Sequence, residues 1–260
     1  MRIVVTGAAS GIGRAVAEQL FAGRLIAGDH RVLLVDRDAA GLDAVARALG
    51  PHAAVLVADV LADTIGDQIV DAARVHMGGI DGVASNAGII GSGSLNAMTI
   101  ADYDRIFGIN TRANWLIAQA VFPLLKENGG SFVATASMSA HQPTPGLSAY
   151  SASKAALLML VRQLSVEWGP EGVRCNSVSP GPTMTPMTAG GYADADRKAQ
   201  REASIPLRKL GSAVDIANAI LFLLSDYAIH INGIDVLVDG GMSNNLMGVS
   251  GAGTGQTPQH

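Results

Sequence analysis

Short apolar runs alternate along the chain with longer stretches in which apolar residues recur at helical spacing. Apolar runs of about four to eight residues are typical of parallel strands that are buried on both faces. Seven runs predict strands, at residues 2–6, 31–36, 53–58, 82–85, 131–135, 173–178 and 234–238. Helical patterns fill the gaps, for example at residues 13–20, 65–76, 101–126, 149–168 and 213–224. This alternation predicts an α/β fold, a single-domain Rossmann-type doubly wound parallel sheet of about seven strands with helices on both faces.

Two segments depart from the alternation. Residues 180–207 mix Pro, Gly, Met and charged residues, which predicts a mobile loop with short helices. Residues 247–260 are rich in Gly, Thr and Gln, which predicts a flexible tail. We therefore expect one domain over residues 1–246, followed by that tail.

Composition and charge exclude several classes of protein. The 260 residues suit one α/β domain, and 48% hydrophobic against 15% charged residues allow a large core. The net charge of −4 argues against a nucleic-acid partner, because such partners select basic surfaces. The chain has no apolar run of about 18 residues and no secretory signal at its start, so we expect no membrane span and a cytoplasmic location. No metal site is predicted, and Cys175, the single cysteine, is interpreted as a buried thiol.

A glycine-rich turn follows the first predicted strand. It reads Thr6-Gly7-Ala8-Ala9-Ser10-Gly11-Ile12-Gly13, and the first predicted helix begins at its end. Glycines at this spacing allow a tight turn and a close approach of the backbone to a phosphate, which the positive end of the helix dipole favours. Between a strand and a helix, this pattern indicates a dinucleotide cofactor rather than an ordinary turn.

The second predicted strand ends at Asp36. A carboxylate at this position can accept hydrogen bonds from the adenosine ribose hydroxyls and would repel a 2′-phosphate, which favours NAD over NADP. The neighbouring Arg37 leaves NADP open, because its guanidinium could hold a 2′-phosphate.

Tyr150 and Lys154 stand four residues apart in a predicted helix, so their side chains share one face. A nearby ammonium lowers the pKa of a phenol from its ordinary value of about 10, which makes the phenol a usable acid or base. Ser137 lies thirteen residues before Tyr150 and, taken alone, could be an ordinary turn residue. Such a pair also arises by chance, so its weight depends on the other motifs.

Those motifs occur together and in order over about residues 1–243, and on them the chain resembles the short-chain dehydrogenase/reductase family. They are Thr6-Gly7-x-x-x-Gly11-x-Gly13, Asp59-Val60, Asn86-Ala87-Gly88, Asn110, Ser137, Tyr150-x-x-x-Lys154 and Pro180-Gly181 with Thr183. The chain departs from the family at Ser85, where a further Asn is common, and in a short insertion before His30. We expect the turn at Asn86 to survive the first departure.

The resemblance implies a role for each matched residue. Tyr150 is expected to exchange a proton with the substrate oxygen, Lys154 to lower its pKa and hold the nicotinamide ribose, and Ser137 to orient the substrate. Asn110 is expected to support a water that links Lys154 to solvent, or else to be a buried amide that satisfies backbone groups. The implied cofactor contacts are Gly7, Ser10, Gly11, Ile12, Gly13, Asp36, Arg37, Asp59, Val60, Asn86, Ala87, Gly88, Tyr150, Lys154, Pro180, Gly181, Thr183 and Met184.

The family resemblance also bears on the reaction. Enoyl reductases of this fold place the lysine six residues after the tyrosine, where this chain has Ala156. We therefore expect reversible hydride transfer between NAD(H) and a secondary alcohol or ketone. The substrate pocket is predicted at residues 89–96, 138–147 and 183–206, with Ile89, Met138, His141, Met187 and Tyr192 as candidates. His141 could equally be a surface residue, and the methionines could serve packing alone.

Two alternatives stay open. The first is an NADP-dependent 3-oxoacyl-carrier-protein ketoreductase, against which the low positive charge of residues 126–131 weighs mildly. The second is a non-catalytic nucleotide-sensing or scaffold protein, whose signature would be an incomplete catalytic set. The resemblance also implies a homotetramer formed through helices 101–126 and 149–168 and the last strand.

Overall fold

A parallel sheet of seven strands forms the centre of the structure, a computed structural model that describes residues 1–245. The predicted α/β fold is therefore confirmed, whereas the tail at 247–260 lies outside the described residues. The strands are β1 (Arg2–Thr6), β2 (Arg31–Asp36), β3 (Ala53–Val57), β4 (Gly82–Ser85), β5 (Ser131–Thr135), β6 (Arg174–Pro180) and β9 (Asp235–Val238). They lie in the order β3-β2-β1-β4-β5-β6-β9, and β7 (Thr183–Met184) pairs separately with β8 (Gly211–Ser212).

The described residues form eight α-helices, which cover both faces of the sheet. They are α1 (Gly11–Phe21), α2 (Ala39–Leu49), α3 (Ile65–Met77), α4 (Ile100–Phe107), α5 (Ala113–Asn128), α6 (Tyr150–Trp168), α7 (Ala195–Ser204) and α8 (Ala213–Leu224). Buried side chains of α3, α5 and α6 form one apolar cluster, and those of α1, α2 and α8 form the other. Cys175 belongs to the first cluster and is fully buried, as expected, and burial raises the pKa of its thiol to about 12.

The predicted helix at residues 101–126 is wrong in one respect, because it is not continuous. A π-helical turn, Gly108–Arg112, separates α4 from α5. Such a turn inserts one residue into the helical repeat and is often found at functional sites. Periodicity does not reveal it, since the apolar pattern continues on both sides of the insertion.

The strand order places the candidate chemistry at one edge of the sheet. β1 pairs with β2 on one side and with β4 on the other, so the chain reverses its direction of winding at β1. Ligands of open α/β sheets bind beyond the carboxyl ends of the strands at such a reversal. The segments that begin at Gly7, Asn86 and Ala136 all leave the sheet at this edge.

The segment after Pro180 is a loop with short elements, as the composition predicts. It contains β7, a 3-10 turn at Ala189–Tyr192 and α7, and the Asp194 carboxylate caps α7 by accepting a hydrogen bond from the Arg197 amide at 2.8 Å. None of the helices between residues 1 and 245 is long and apolar enough to cross a membrane.

Gly66→Ala tests the contact between α3 and α5. A Cβ atom on Gly66 would lie 2.5 Å from the Ala120 Cβ atom and 2.7 Å from the Leu116 carbonyl oxygen. We expect the variant to lose about 1–3 kcal/mol of unfolding free energy in urea titrations, because overpacking exceeds the gain of about 1 kcal/mol from alanine in a helix. Gly190→Ala is the matched control, since a Cβ atom there meets nothing within 4 Å. Equal midpoints for the two variants would contradict the close helix contact.

Candidate active site

A cleft opens at the carboxyl edge of the sheet, beside the ends of β1, β2 and β4. It brings together most of the residues predicted to contact a cofactor: Gly7, Ser10, Gly11, Ile12, Gly13, Asp36, Arg37, Asp59, Val60, Asn86, Ala87 and Gly88. The cleft is also lined by residues that were not predicted as cofactor contacts: Ala58, Ile89, Ile109, Thr185, Pro186 and Met187. Ile89 and Met187, which were predicted in the substrate pocket, therefore border the cofactor cleft.

The glycine-rich turn is closed so tightly that side chains do not fit. Gly7 and Gly11 have φ angles of +66° and +54°, which L-residues with side chains rarely adopt. A Cβ atom on Gly13 would lie 2.3 Å from the Gly7 carbonyl oxygen. The turn thus brings the first amides of α1 to the cleft, where their N–H groups and the helix dipole fit a phosphate.

Asp36 is held in place by the backbone around it. Its Oδ2 accepts a hydrogen bond from the Ala9 amide and its Oδ1 from the Asp38 amide, both at 3.1 Å. Each carboxylate oxygen has further acceptor capacity, so the group fits a ribose diol. Among the described residues, Arg37 forms no salt bridge.

The turn after β4 is fixed by two threonines. The Thr6 hydroxyl oxygen accepts hydrogen bonds from the amides of Asn86 (3.0 Å) and Ala87 (3.1 Å). The Asn86 Oδ1 atom accepts a hydrogen bond from the Thr135 hydroxyl at 2.6 Å. The turn therefore forms although Ser85 replaces the family's usual asparagine, as expected.

Four of the residues predicted to contact a cofactor lie at the end of β6 or in the loop after it, and their contacts stay predictions. Pro180, Gly181, Thr183 and Met184 are not among the residues that line the cleft. Thr183 is buried, and its hydroxyl donates to the Gly181 carbonyl at 2.9 Å.

Thr185, from the same loop after β6, lines the cleft. A Cβ atom on Gly11 would be 3.7 Å from the Thr185 Cβ atom, so the loop reaches over the glycine-rich turn. The sequence offers Thr185 as a second threonine in this loop, two residues after Thr183.

Ser137, Tyr150 and Lys154 form a cluster between β5 and α6. The Ser137 hydroxyl lies close enough to Tyr150 to act on the pKa of the phenol, and its oxygen accepts a hydrogen bond from the Ser139 amide at 3.1 Å. Burial raises the pKa of Tyr150, and the Ser137 hydroxyl acts in the opposite direction. The predicted lowering of this pKa by Lys154 is not found, because Lys154 is not among the groups that shift it.

Lys154 is buried, with 3% of its surface exposed, and its Nζ atom donates to the Thr135 carbonyl at 2.7 Å. Burial lowers its pKa to about 8. A Cβ atom on Gly88 would lie 3.4 Å from Nζ, so the ammonium borders the cleft at this glycine. The arrangement places an acid/base group and a cation beside the space for a dinucleotide.

Asn110 sits in the π-helical turn and holds the loop after β4. Its Oδ1 accepts a hydrogen bond from the Ile89 amide (2.9 Å), and its Nδ2 donates to the Ile89 carbonyl and to the Ser153 hydroxyl (both 3.0 Å). Of the two predicted roles, this geometry matches a buried amide that satisfies backbone groups.

The remaining substrate-pocket candidates are spread around the cluster. Met138 lies in the turn that follows Ser137, and Tyr192 lies in the 3-10 turn before α7. His141 contacts Asp235 rather than the cleft, with 2.7 Å between Nε2 and Oδ2. Over residues 1–245, no three His, Cys, Asp or Glu side chains are grouped so that they could hold a metal ion.

Comparison with known proteins places the whole described fold among oxidoreductases. A family model described as Enoyl-(Acyl carrier protein) reductase matches residues 7–243. The 2-(R)-hydroxypropyl-CoM dehydrogenase of Xanthobacter autotrophicus is 35% identical over 245 residues, which cover 91% of this chain and 96% of that protein.

Solved structures agree with this placement. A short-chain dehydrogenase/reductase of Brucella melitensis, named as a glucose/ribitol dehydrogenase, superposes with a TM-score of 0.86 at 34% identity and covers 93% of this chain and 96% of that one. A 3-ketoacyl-(acyl-carrier-protein) reductase of the same organism, complexed with NADH, gives 0.84 at 31% identity and covers 93% and 98%.

Lys154→Met tests the cost of burying the ammonium. The unfolded chain keeps this proton up to the ordinary pKa of 10.5, whereas the folded chain releases it near pH 8. Between these values the unfolded state binds more protons, so Lys154 makes stability rise with pH. We expect the variant to be more stable than the wild type at pH 7, by up to roughly 3 kcal/mol, with the gap narrowing toward pH 10.

Urea titrations at pH 7 and pH 10 measure this gap. Lys126→Met is the control, because Lys126 is half exposed and pairs with Glu171 at 2.6 Å on the surface. A gap between Lys154→Met and the wild type that does not depend on pH would contradict the lowered pKa.

Proposed function

The chain belongs to the short-chain dehydrogenase/reductase family and is an oxidoreductase that acts on CH–OH groups. From this premise we propose that it transfers hydride between NAD(H) and a secondary alcohol or ketone. The observation that carries the proposal is the cluster of Ser137, Tyr150 and Lys154 beside a cleft with a phosphate-binding turn. All three side chains meet at the edge where the strands end.

The chain's own residues handle the proton of the proposed reaction. Bound nicotinamide supplies or accepts the hydride. In reduction, the Tyr150 hydroxyl donates its proton to the carbonyl oxygen, and in oxidation the Tyr150 oxygen takes the proton of the alcohol. The Ser137 hydroxyl orients the reacting oxygen, since it lies close enough to Tyr150 to act on its pKa. The Lys154 ammonium, which borders the cleft at Gly88, would hold the ribose hydroxyls of the cofactor.

Asp36 supports NAD as the preferred cofactor. Two backbone amides fix its carboxylate at the cleft, where it would bind ribose hydroxyls and repel a 2′-phosphate. The NADH complex of the similar 3-ketoacyl-(acyl-carrier-protein) reductase is in line with this preference. Arg37 lines the same cleft and is the residue that would have to accommodate a 2′-phosphate.

A carrier-protein ketoreductase is the second candidate, favoured by the likeness to that same protein. Docking an acidic carrier requires basic surface near the site. Helix α7 presents Arg197, Lys198 and Arg201, but Asp196 and Glu202 on the same helix offset most of this charge. The free alcohol or ketone therefore remains the first candidate.

We also propose that the protein forms a homotetramer through α5 and α6. Trp115 on α5 and Met159 and Val166 on α6 are 45%, 60% and 75% exposed. Exposed apolar side chains on these two helices would be covered by such an interface.

Tyr150→Phe tests the proposed acid/base. The variant keeps the ring but has no proton to exchange, so we expect turnover to fall by about 10² to 10⁴-fold while NAD affinity stays within about twofold. Initial rates over a panel of secondary alcohols and ketones, together with calorimetric NAD titration, measure both quantities. Tyr103→Phe is the control, since Tyr103 is an exposed residue on α4. Full activity of Tyr150→Phe would exclude the assignment.

Asp36→Ala tests the cofactor preference. We expect the wild type to bind NAD more tightly than NADP, and the variant to lose about ten- to a hundredfold in NAD affinity while gaining in NADP affinity, because a charged acceptor and a repulsive charge are both removed. Asp43→Ala, an exposed carboxylate on α2, is the control. Tighter NADP binding by the wild type would overturn the NAD preference.

A further inference from the structure

We propose that Asp235 is a positioning residue of the active site, which acts through His141 to fix the turn that carries Ser137. The proposal rests on the proposed function, in which Ser137 orients the reacting oxygen. Asp235 belongs to none of the motifs matched in the sequence and does not line the cofactor cleft. It is the first residue of β9, two strands away from β5, after which the turn with Ser137 begins.

The first observation is a contact that spans β6. The Nε2 atom of His141 lies 2.7 Å from the Oδ2 atom of Asp235. His141 directly follows the 3-10 turn Met138–Ala140, whereas Asp235 lies on the far side of β6. Because a carboxylate only accepts, the imidazole donates its Nε2–H group. The bond therefore joins the turn after β5 to the edge strand of the sheet.

The second observation is the burial of the carboxylate. Only 4% of the Asp235 side chain is exposed, against 28% of the His141 side chain. The Oδ1 atom of Asp235 accepts a hydrogen bond from the Ser177 hydroxyl at 2.6 Å, while Oδ2 accepts from His141. A buried carboxylate is stable only where hydrogen bonds replace its hydration. Both oxygens are held, so the carboxylate is a rigid anchor for the imidazole.

The third observation is the residue type at this position. Aspartate is disfavoured in strands, and the other three residues of β9 are Val, Leu and Val. A charge on an edge strand can serve to prevent pairing with another chain, but that role requires no imidazole. The bond to His141 is what distinguishes Asp235 from such a protective charge.

The turn with Ser137 is attached to the sheet on both sides of this residue. Before it, the Ala136 amide donates to the Val178 carbonyl of β6 at 2.8 Å. After it, the His141 imidazole is held by the carboxylate on β9. The Ala140 amide donates to the Ser137 carbonyl at 2.9 Å, so these residues form one short hydrogen-bonded unit. A displacement of His141 would therefore be transmitted to Ser137.

Asp235→Val tests the anchor. Valine is β-branched and suits a strand, but its side chain accepts no hydrogen bond. We expect kcat for alcohol oxidation to fall about tenfold, because small displacements of an orienting group slow the reaction. We expect NAD affinity to stay within about twofold, since the turn does not line the cofactor cleft. A lower midpoint of urea unfolding with an unchanged kcat would reduce Asp235 to a structural residue and overturn the proposal.

Asp235→Asn is the conservative variant. Its amide oxygen can accept the Ser177 hydroxyl, and its amide nitrogen can donate to Nε2 of His141 in the other tautomer. The variant therefore keeps both hydrogen bonds without the charge, and we expect it to recover most of the wild-type kcat. A kcat as low as that of Asp235→Val would contradict the anchoring role.

His141→Leu removes the other partner of the contact. We expect this variant and the double variant with Asp235→Val to show the same loss of kcat, because two residues that act through one contact are not additive. Losses that multiply in the double variant would overturn the proposal. If Asp235→Val does not fold, His141→Gln and His141→Leu replace it, since glutamine can donate to the carboxylate and leucine cannot.

Asn232→Leu is the matched control. Asn232 precedes β9 and binds the same side of the sheet: its Oδ1 accepts from the Cys175 amide and its Nδ2 donates to the Ser165 carbonyl, both at 2.9 Å. These bonds lie at the beginning of β6, at the opposite end from Ser137. We expect a lower urea midpoint and an unchanged kcat. An equal loss of kcat would mean that any weakening of this edge slows the enzyme, which would overturn the specific role of Asp235.

Crystal structures of the wild type and of Asp235→Val test the anchor independently of activity. We expect residues 137–141 to be displaced relative to Tyr150 in the variant, while β5 and β6 superpose. An unmoved Ser137 would overturn the proposal. Failure of the wild type to oxidise any alcohol or reduce any ketone would instead remove the proposed function, and the two crystal structures would still test the anchor.

Discussion

The buried ammonium of Lys154 constrains the elements around the active site. A charge that is removed from water needs hydrogen-bond acceptors, and the acceptor here is the carbonyl of Thr135, the last residue of β5. The end of β5 therefore has to stand beside the first turn of α6, which brings Ser137 and Tyr150 together. Gly88 lies directly beside the ammonium, since a Cβ atom on it would be 3.4 Å from Nζ. Burial of the ammonium is unfavourable, and it lowers the pKa of Lys154 to about 8.

The loops around Ser137, Tyr150 and Lys154 are joined to one another by several hydrogen bonds. Asn110 binds both backbone groups of Ile89, and the Gly93 amide and carbonyl pair with the Gly146 carbonyl (2.9 Å) and the Ser148 amide (3.0 Å). Ser148 adopts a φ angle of +57° directly before the segment that leads to Tyr150. Non-glycine residues hold this conformation only where surrounding contacts enforce it. The catalytic side chains are thus fixed by backbone bonds rather than by surface packing.

Much of the fold and of the cofactor cleft could be predicted from the sequence, because both depend on local patterns. Buried parallel strands appear in the sequence as continuous apolar runs. The turn from Gly7 to Gly13 can form only with glycines at fixed positions. Other features depend on contacts that local patterns do not contain. The π-helical turn carries Asn110, whose side-chain amide bonds to Ile89, twenty-one residues away. Thr185 lines the cleft, whereas the Thr183 hydroxyl donates to the Gly181 carbonyl. The direction of the Tyr150 pKa depends on how deeply the phenol is buried, which spacing to Lys154 does not reveal.

Features set by local patterns and features set by long-range contacts also differ in how tightly the fold holds them. The acid/base cluster and the glycine-rich turn are fixed by the sheet edge, so the reaction class follows from the fold and its motifs. The loops at residues 89–98 and 138–149 are joined by the hydrogen bonds at Gly93, so they are also fixed. The segment between Pro180 and Ser212 bonds to the rest of the described fold through the Gly181 and Leu207 amides, which donate to the Val238 and Gly240 carbonyls at 3.0 and 3.2 Å. The β7–β8 ladder and the bond from Thr188 to Thr183 lie within the segment itself. Lys154 lies outside this segment and bonds to Thr135 of β5. Substitutions between Pro180 and Ser212 therefore leave that bond in place.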